Sequence, residues 1–130
     1  MKLLFLISAL FFLSSCNNNN FETGVHGIIE YGEGDCSLSE DSRSFEKYTG
    51  DVYFVNKDSL DKYQTTDFFQ LFGYSQVVSI SNGKLRTEVK PGKYVIMVKD
   101  FYFNDASNNI TVIQDIILEK NIQFYKCTGQ

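Results

Sequence analysis

Apolar and polar residues alternate with a period of two along most of the chain after Gly24, which is the pattern of half-buried β-strands. The first run predicts a strand over residues 24–31. One side carries Val25, Gly27, Ile29 and Tyr31, and these alternate with His26, Ile28 and Glu30 on the other side. The glycine-rich segment 32–35 is expected to end this strand. No helical period of 3.6 residues competes with the alternation over this run.

Six further runs predict strands, which gives about seven short strands in all: 51–56, 75–80, 85–89, 94–98, 110–118 and 122–127. The segment 51–56 is dense enough in apolar residues to be central. The polar, acidic segment 37–50 predicts a long loop. Two interpretations stay open for 57–73: a short helix capped by Asp58-Ser59 with Leu60, Tyr63 and Phe68 on its apolar side, or a loop packed over the sheet edge.

Two turn signals separate these runs. Asn82-Gly83 between alternating runs predicts a β-hairpin, because a type I′ turn needs positive φ at both central residues. Pro91-Gly92 predicts a tight turn, after which Tyr94 re-enters the core. Short strands, regular turns and no convincing long helix predict an all-β fold, a single antiparallel β-sandwich over residues 24–130.

Composition narrows the function classes. The chain has 130 residues, which is one domain at most, and a net charge of −4 with no basic cluster, so nucleic-acid binding is not expected. One His and three Cys exclude a multi-His metal site and a Cys₄ zinc site. No G-x-S-x-G or H-E-x-x-H motif occurs, and no nucleophile–base pair can be assembled from the residues.

The N-terminal segment has the features of a targeting signal. After Lys2, residues 3–13 form an eleven-residue apolar run, which is too short for a membrane span and has the length of a signal-peptide core. The run ends in Leu13-Ser14-Ser15-Cys16, which resembles the lipobox of bacterial lipoproteins. That resemblance implies a signal peptide over 1–15 and a diacylglycerol on the thiol of Cys16. The alternative is an ordinary secretory signal whose Cys16 pairs elsewhere.

A lipidated Cys16 would hold the protein at a membrane surface through a polar tether over 16–23. In Bacteroidetes-type bacteria, acidic residues just after the lipidated Cys resemble a surface-export tag. Here Asn17–Asn20 stands in that place. The resemblance therefore implies a lipid anchor in the outer membrane and favours its periplasmic face, with the cell surface as the other location.

Two cysteines remain once Cys16 is lipidated, Cys36 and Cys127, which are 91 residues apart. An even number of cysteines in an oxidising compartment predicts a disulfide between them, which would tie the end of the first strand region to the last strand. The alternative is a pair of buried free thiols. A redox role is not expected, because there is no C-x-x-C motif.

The segment 82–96, with its Asn-Gly turn and its Pro-Gly-x-Tyr motif, resembles carboxypeptidase regulatory-like, transthyretin-like domains. The opening segment 24–29 is similar to the first strand of the same domains, and Leu85 stands where the family usually has Phe. The resemblance implies a transthyretin-like sandwich that acts as an accessory, non-catalytic module. The enzymatic branch, the hydroxyisourate hydrolases, carries several His and a Tyr-Arg-Gly-Ser end, whereas this chain has His26 alone and ends in Gln130.

Three groups of residues are candidates for binding. Phe101, Tyr102 and Phe103 precede Asn104-Asp105 and could stack on a sugar ring or anchor a partner protein, or else cap the sandwich core. Phe68-Phe69 and Leu71-Phe72 pose the same question. The acidic loop with Glu33, Asp35, Glu40 and Asp41 could hold Ca²⁺ or simply be solvated, and His26 is expected to be a structural strand residue.

Two function hypotheses follow, neither of them enzymatic and neither with a cofactor. The first is a membrane-anchored lipoprotein module that binds or braces another envelope component. The second is a lipoprotein that binds a small ligand, a glycan or a peptide, through its loop aromatics.

Overall fold

The computed structural model describes residues 20–63, 73, 75–98 and 108–128. A 3-10 turn at Glu40–Ser42 lies between the first two strands. The elements in chain order are β1 (Gly24–Gly34), β2 (Glu46–Lys47), β3 (Gly50–Asn56), α1 (Lys57–Tyr63), β4 (Gln76–Ile80), β5 (Lys84–Glu88), β6 (Gly92–Met97), β7 (Asn109–Val112), β8 (Ile117–Glu119) and β9 (Ile122–Cys127).

The strands form two sheets, which confirms the all-β sandwich. In the five-stranded sheet, β1 is central, with β5 and β2 along one edge and β8 and β9 along the other. The four-stranded sheet has the order β4-β3-β6-β7 and is antiparallel throughout. The prediction of a purely antiparallel fold is wrong in one respect, because β8 and β9 run parallel to β1. The described residues hold nine strands instead of about seven.

The main core lies between the two sheets. Its largest fully buried side chains are Phe54 from β3 and Phe124 from β9, and the ring of Tyr94 meets Phe54 edge-on at 6.4 Å. Val25 and Ile29, predicted to point inward from the first run, lie in this core, and Tyr31 and Tyr94 pack against it. Burying one face of each sheet removes apolar surface from water. The fully or nearly fully buried members are Val25, Ile29, Val52, Phe54, Ile80, Leu85, Val89, Ile96, Val98, Ile110, Val112, Ile122 and Phe124.

A second, smaller cluster lies on the outer face of the four-stranded sheet. Val55, Val95 and Met97 are buried there and pack with Tyr53 and with Leu60 of α1. The helix alternative for 57–73 is therefore confirmed over Lys57–Tyr63, and the rest of that segment, apart from Gly73, lies outside the described residues.

The cap of α1 differs from the predicted Asp58-Ser59. The side-chain oxygen of Asn56 accepts hydrogen bonds from the backbone N–H groups of Asp58 (3.0 Å) and Ser59 (3.2 Å). Asn56 is the last residue of β3, so one amide ends the strand and satisfies the first orphan donors of the helix.

Strand β1 is longer than expected, because it continues through Gly34 instead of ending at Gly32. Its second half pairs with β9 as far as Gly34↔Cys127. A Cβ at Gly32 would collide with the backbone carbonyl oxygen of Ser44 and would lie 3.1 Å from the ring of Tyr125. The glycine therefore makes room for that backbone and that ring instead of ending the strand.

Two other segments predicted from the sequence, the loop over 37–50 and the strand over 110–118, also differ from the structure. The segment 37–50 contains the 3-10 turn and β2, which pairs with β1. The single strand expected over 110–118 is two strands in different sheets, separated by a turn in which Asp115 has φ 62°. The polar pair Gln114-Asp115 marks the turn, but apolar residues resume at Ile116, so the pattern alone does not reveal the change of sheet.

The Asn82-Gly83 turn forms as predicted, with φ 53° and 73°. The hairpin prediction is nevertheless wrong, because β4 belongs to the four-stranded sheet and β5 to the five-stranded sheet. The N–H of Gly83 donates to the carbonyl of Tyr48 (2.8 Å), and its carbonyl accepts from the N–H of Ile29 (2.9 Å). These bonds to other segments make the turn a corner between the sheets.

The Pro91-Gly92 turn is a second corner, since it leads from β5 to β6 in the other sheet. The Tyr94 hydroxyl donates to the backbone carbonyl of Lys90 at 2.8 Å and so closes the corner. Partial burial raises the pKa of this hydroxyl, which is consistent with its role as a hydrogen-bond donor.

Candidate functional site

The predicted disulfide forms between Cys36 and Cys127, with their Cα atoms 5.3 Å apart. The pairing of β1 with β9 brings the two residues together, because Gly34 and Cys127 are partners in that register. The N–H of Thr128 also donates to the carbonyl of Gly34 at 2.8 Å. The alternative of two free thiols is therefore excluded, and the disulfide ties the last strand to the central strand.

Beside the disulfide, Tyr125 forms an aromatic and cationic cluster on the outer face of the five-stranded sheet. The guanidinium of Arg43 lies 4.6 Å from the ring centroid of Tyr125, and the ring of Phe45 meets it edge-on at 5.8 Å. Glu40 lies 3.9 Å from Arg43. Sequence analysis missed this cluster, because Arg43 and Phe45 lie in a polar segment with no periodic pattern.

In the acidic loop, the carboxylate of Asp35 accepts hydrogen bonds from Ser37. The Ser37 side chain and the Ser37 N–H (2.8 Å) both bond to it, and these bonds lower the pKa of Asp35. Within the described ranges, no three His, Cys, Asp or Glu side chains converge as metal ligands would. His26 is half-buried on β1, with Arg86 and Glu119 as its register partners on the two neighbouring strands.

An open groove of about 440 Å³ lies on the outer face of the five-stranded sheet. Its carboxylate, Glu30, accepts hydrogen bonds from Lys47 (2.9 Å) and Gln123 (3.3 Å), and these bonds hold its pKa below the ordinary value. The Asn121 side chain accepts from the N–H of Ile28 (2.9 Å). The groove is lined by Ile28, Glu30, Lys120, Asn121, Ile122 and Gln123.

The groove holds one carboxylate and two side-chain amides. Its one carboxylate is charged and already paired with a cation, so it is a poor proton acceptor at neutral pH. Its amides can donate and accept hydrogen bonds, which suits a polar ligand. None of its lining residues is aromatic.

A smaller pocket of about 240 Å³ lies between the start of α1 and strands β6 and β7. Lys57 and Lys93 line it together with Asn109, Ile110 and Thr111. The side-chain oxygen of Asn109 is buried there and has no hydrogen-bond partner among the described residues.

Four large apolar side chains in the described part of the chain are exposed to solvent. Leu38 is 57 % exposed near the disulfide, and Val77 is 46 % exposed on the edge strand β4. Ile113 (55 %) and Ile116 (47 %) bracket the β7–β8 turn, which the N–H of Ile116 closes by donating to the carbonyl of Ile113 at 3.2 Å.

The β7–β8 turn is bound to the start of the domain. The N–H of Asp115 donates to the hydroxyl of Thr23 (2.8 Å), and the N–H of Gly24 donates to the carbonyl of Ile116 (3.2 Å). The two exposed isoleucines therefore lie where the N-terminal segment joins the sandwich. The sequence alone did not distinguish them, because both fall within the single strand predicted over 110–118.

Several predicted site residues lie outside the described residues: Cys16, Phe68-Phe69, Leu71-Phe72, Phe101, Tyr102 and Phe103. Within the described part, no helix is both long enough and apolar enough to span a membrane.

Comparisons with protein-family models, with curated proteins and with solved structures found no significant match. The class that the fold defines is an all-β sandwich of two sheets with one disulfide.

Proposed function

We propose that this chain is a lipid-anchored, non-catalytic module that binds or braces another component of a bacterial envelope. The single observation that carries the proposal is the position of Cys16, in a lipobox-like sequence eight residues before the first strand at Gly24. A disulfide suits such a location, because disulfides persist in oxidising compartments.

The non-catalytic part of the proposal is argued from the surroundings of the titratable groups whose pKa values are shifted. Catalytic groups usually carry pKa shifts that serve a reaction. Here the three shifted groups have structural partners or surroundings: Glu30 has Lys47 and Gln123, Asp35 has Ser37, and Tyr94 is partly buried in the core.

We further propose that the sandwich is of the carboxypeptidase regulatory-like, transthyretin-like type. The Asn82-Gly83 corner and the Pro91-Gly92 corner, closed by the Tyr94 hydroxyl, support this proposal, because the motif residues that carry the resemblance hold the turns. The accessory role of such modules favours bracing over catalysis.

The anchor is tested by expressing the full chain in a Gram-negative host with radiolabelled palmitate. The native chain should take up label and fractionate with the outer membrane, on its periplasmic face or at the cell surface. Cys16→Ala should lose the label and accumulate as precursor, while Cys36→Ala with Cys127→Ala, the matched control, should keep the label. A label that survives Cys16→Ala would overturn the anchor.

Binding of a small ligand, a glycan or a peptide, is the second candidate function. The groove beside Glu30 favours it, because amide and carboxylate groups converge there in a space large enough for a sugar. The test is titration with oligosaccharides and peptides, followed by NMR. Gln123→Ala should weaken binding if the groove is the site, and Phe101→Ala should weaken it if the loop aromatics are.

A further inference from the structure

We propose that the β7–β8 turn is a second membrane contact, through which Ile113 and Ile116 enter the lipid headgroup region beside the anchor. The inference rests on the lipid anchor proposed above and adds an orientation to it: the sandwich stands with this turn down and the disulfide away from the bilayer.

The first argument is distance. Thr23 lies seven residues after Cys16, and an extended chain of seven residue steps reaches at most about 25 Å. Thr23 is fixed to the turn by its hydrogen bond from Asp115, and Gly24 by its bond to Ile116. The turn therefore cannot move farther from the bilayer than the tether allows.

The second argument is exposure. Ile113 and Ile116 are about half exposed on a single turn, at the one end of the molecule that the tether holds close to lipid. Entering the interface removes apolar surface from water, which favours contact with the acyl boundary. Once the anchor confines the domain, even a weak contact suffices, because the effective concentration of lipid is high.

The third argument is charge. Lys57 and Lys93 line the pocket beside Thr111, which lies two residues before Ile113. Basic groups next to an apolar contact suit anionic headgroups. Asp115 is the acid within the turn, and its carboxylate accepts a hydrogen bond from Gln114 at 3.2 Å. Glu22 and Glu88 are exposed at the same end, beside Thr23 and Gly24, so this end carries both signs of charge. A bilayer surface, with its headgroup phosphates near Lys57 and Lys93, is therefore the occupant that the exposed isoleucines fit.

The experiment uses the absence of tryptophan from the chain, because each introduced Trp then reports alone. The full lipidated chain is reconstituted into vesicles of phosphatidylethanolamine and phosphatidylglycerol with brominated acyl chains. Ile113→Trp is compared with Leu38→Trp, a matched control of nearly equal exposure (55 % against 57 %) near the disulfide. Ile116→Trp serves as a second reporter, and resistance of the cysteines to alkylation checks that each variant folds.

We expect Trp at 113 and at 116 to show a blue shift and loss of emission in brominated vesicles, and Trp at 38 to show neither. Emission at all three positions like that of a solvated Trp would overturn the docking turn. Flotation of the unsubstituted chain with vesicles separates the two proposals. If the chain floats and the reporters stay solvated, only the orientation fails, whereas a chain that does not float removes both the anchor and the contact.

Discussion

The two sheets of the sandwich are covered differently. The five-stranded sheet buries its inner face, while its outer face carries charged and polar residues such as Glu30, Arg86 and Gln123. The four-stranded sheet is buried on its inner face and, in part, on its outer face, where α1 covers Val55 and Val95. The second sheet is therefore in part a middle layer, whereas the outer face of the first carries the open groove beside Glu30.

The different covering of the two sheets is visible in the hydrophobic pattern of their strands. The buried run 95–98 is unbroken over the end of β6 and the residue after it, whereas β5 alternates buried and more exposed residues. Strands that are covered on both faces are expected to have continuous apolar runs, because neither side of the strand faces water. A run of this kind is therefore evidence for a covering element, which among the described residues is α1.

The largest expected effect tests the shared core. Phe54→Ala in β3 should lower the free energy of unfolding by about 3–5 kcal/mol, because it leaves a cavity between the sheets. Phe124→Ala in β9 should cost a similar amount. Urea unfolding monitored by circular dichroism measures both, and a loss below about 1 kcal/mol for either ring would contradict its place in the core.

The second prediction tests the covered outer face directly. Met97→Ala should cost about 2–5 kcal/mol, since Met97 is buried under the α1 side of the four-stranded sheet. Ile28→Ala, on the outer face of the other sheet, should cost about 1 kcal/mol because its side chain is only half-buried. Equal losses in urea unfolding would mean that the two outer faces do not differ.

The third prediction concerns the five-stranded sheet alone. Replacing both Cys36 and Cys127 by Ser should lower the free energy of unfolding by about 2–5 kcal/mol. Without the disulfide, which closes a loop of 91 residues, the unfolded chain has more conformational entropy. Hydrogen exchange should show the amides of β9 losing protection before those of β3. Equal loss of protection in both strands would show that the disulfide stabilises the whole sandwich uniformly.

The fourth prediction tests the cap of the covering helix. Asn56→Ala should cost about 1 kcal/mol, because the N–H groups of Asp58 and Ser59 lose their acceptor. Asn56→Asp keeps an acceptor and should restore most of the stability, which thermal unfolding can measure. If Asn56→Asp is as destabilised as Asn56→Ala, the side chain acts through packing and not as a cap.

The smallest effect belongs to the ion pair on the five-stranded sheet. Lys47 and Gln123 lower the pKa of Glu30 below its ordinary 4.5, so the pair stabilises the fold above that pH. The stabilisation is lost as the pH falls through the folded-state pKa, when Glu30 takes up a proton. Because the Glu30 side chain is 26 % exposed and the Lys47 side chain 48 %, we expect less than about 1 kcal/mol.

Unfolding of Lys47→Met across the acidic range checks this prediction. The variant should be less stable than the native chain at neutral pH, and the two should converge once Glu30 is protonated. Lys84→Met, which removes an exposed lysine from the neighbouring strand β5, is the control. A difference between Lys47→Met and the native chain that persists at low pH would point to lost packing instead of lost charge.

The features that could be predicted from the sequence depend on residues close together in the chain or on a simple count of residue types. The alternation identified the inward residues of β1, β5 and β6, because a strand places successive side chains on opposite faces. Asn82-Gly83 and Pro91-Gly92 identified their turns, because backbone conformation depends on the residues within the turn. The Cys36–Cys127 pairing followed from the number of cysteines that remain after Cys16.

Only the tertiary structure decided which sheet each strand joins. The Asn82-Gly83 turn has hairpin geometry, yet bonds from Ile29 and to Tyr48 make it a corner. The parallel pairing of β1 with β9, the ring of Tyr125 over Gly32 and the pairing of Glu30 with Gln123 join segments more than 90 residues apart. Alternation fixes which way a side chain points along its own strand, but register between distant strands depends on the packing of the whole core.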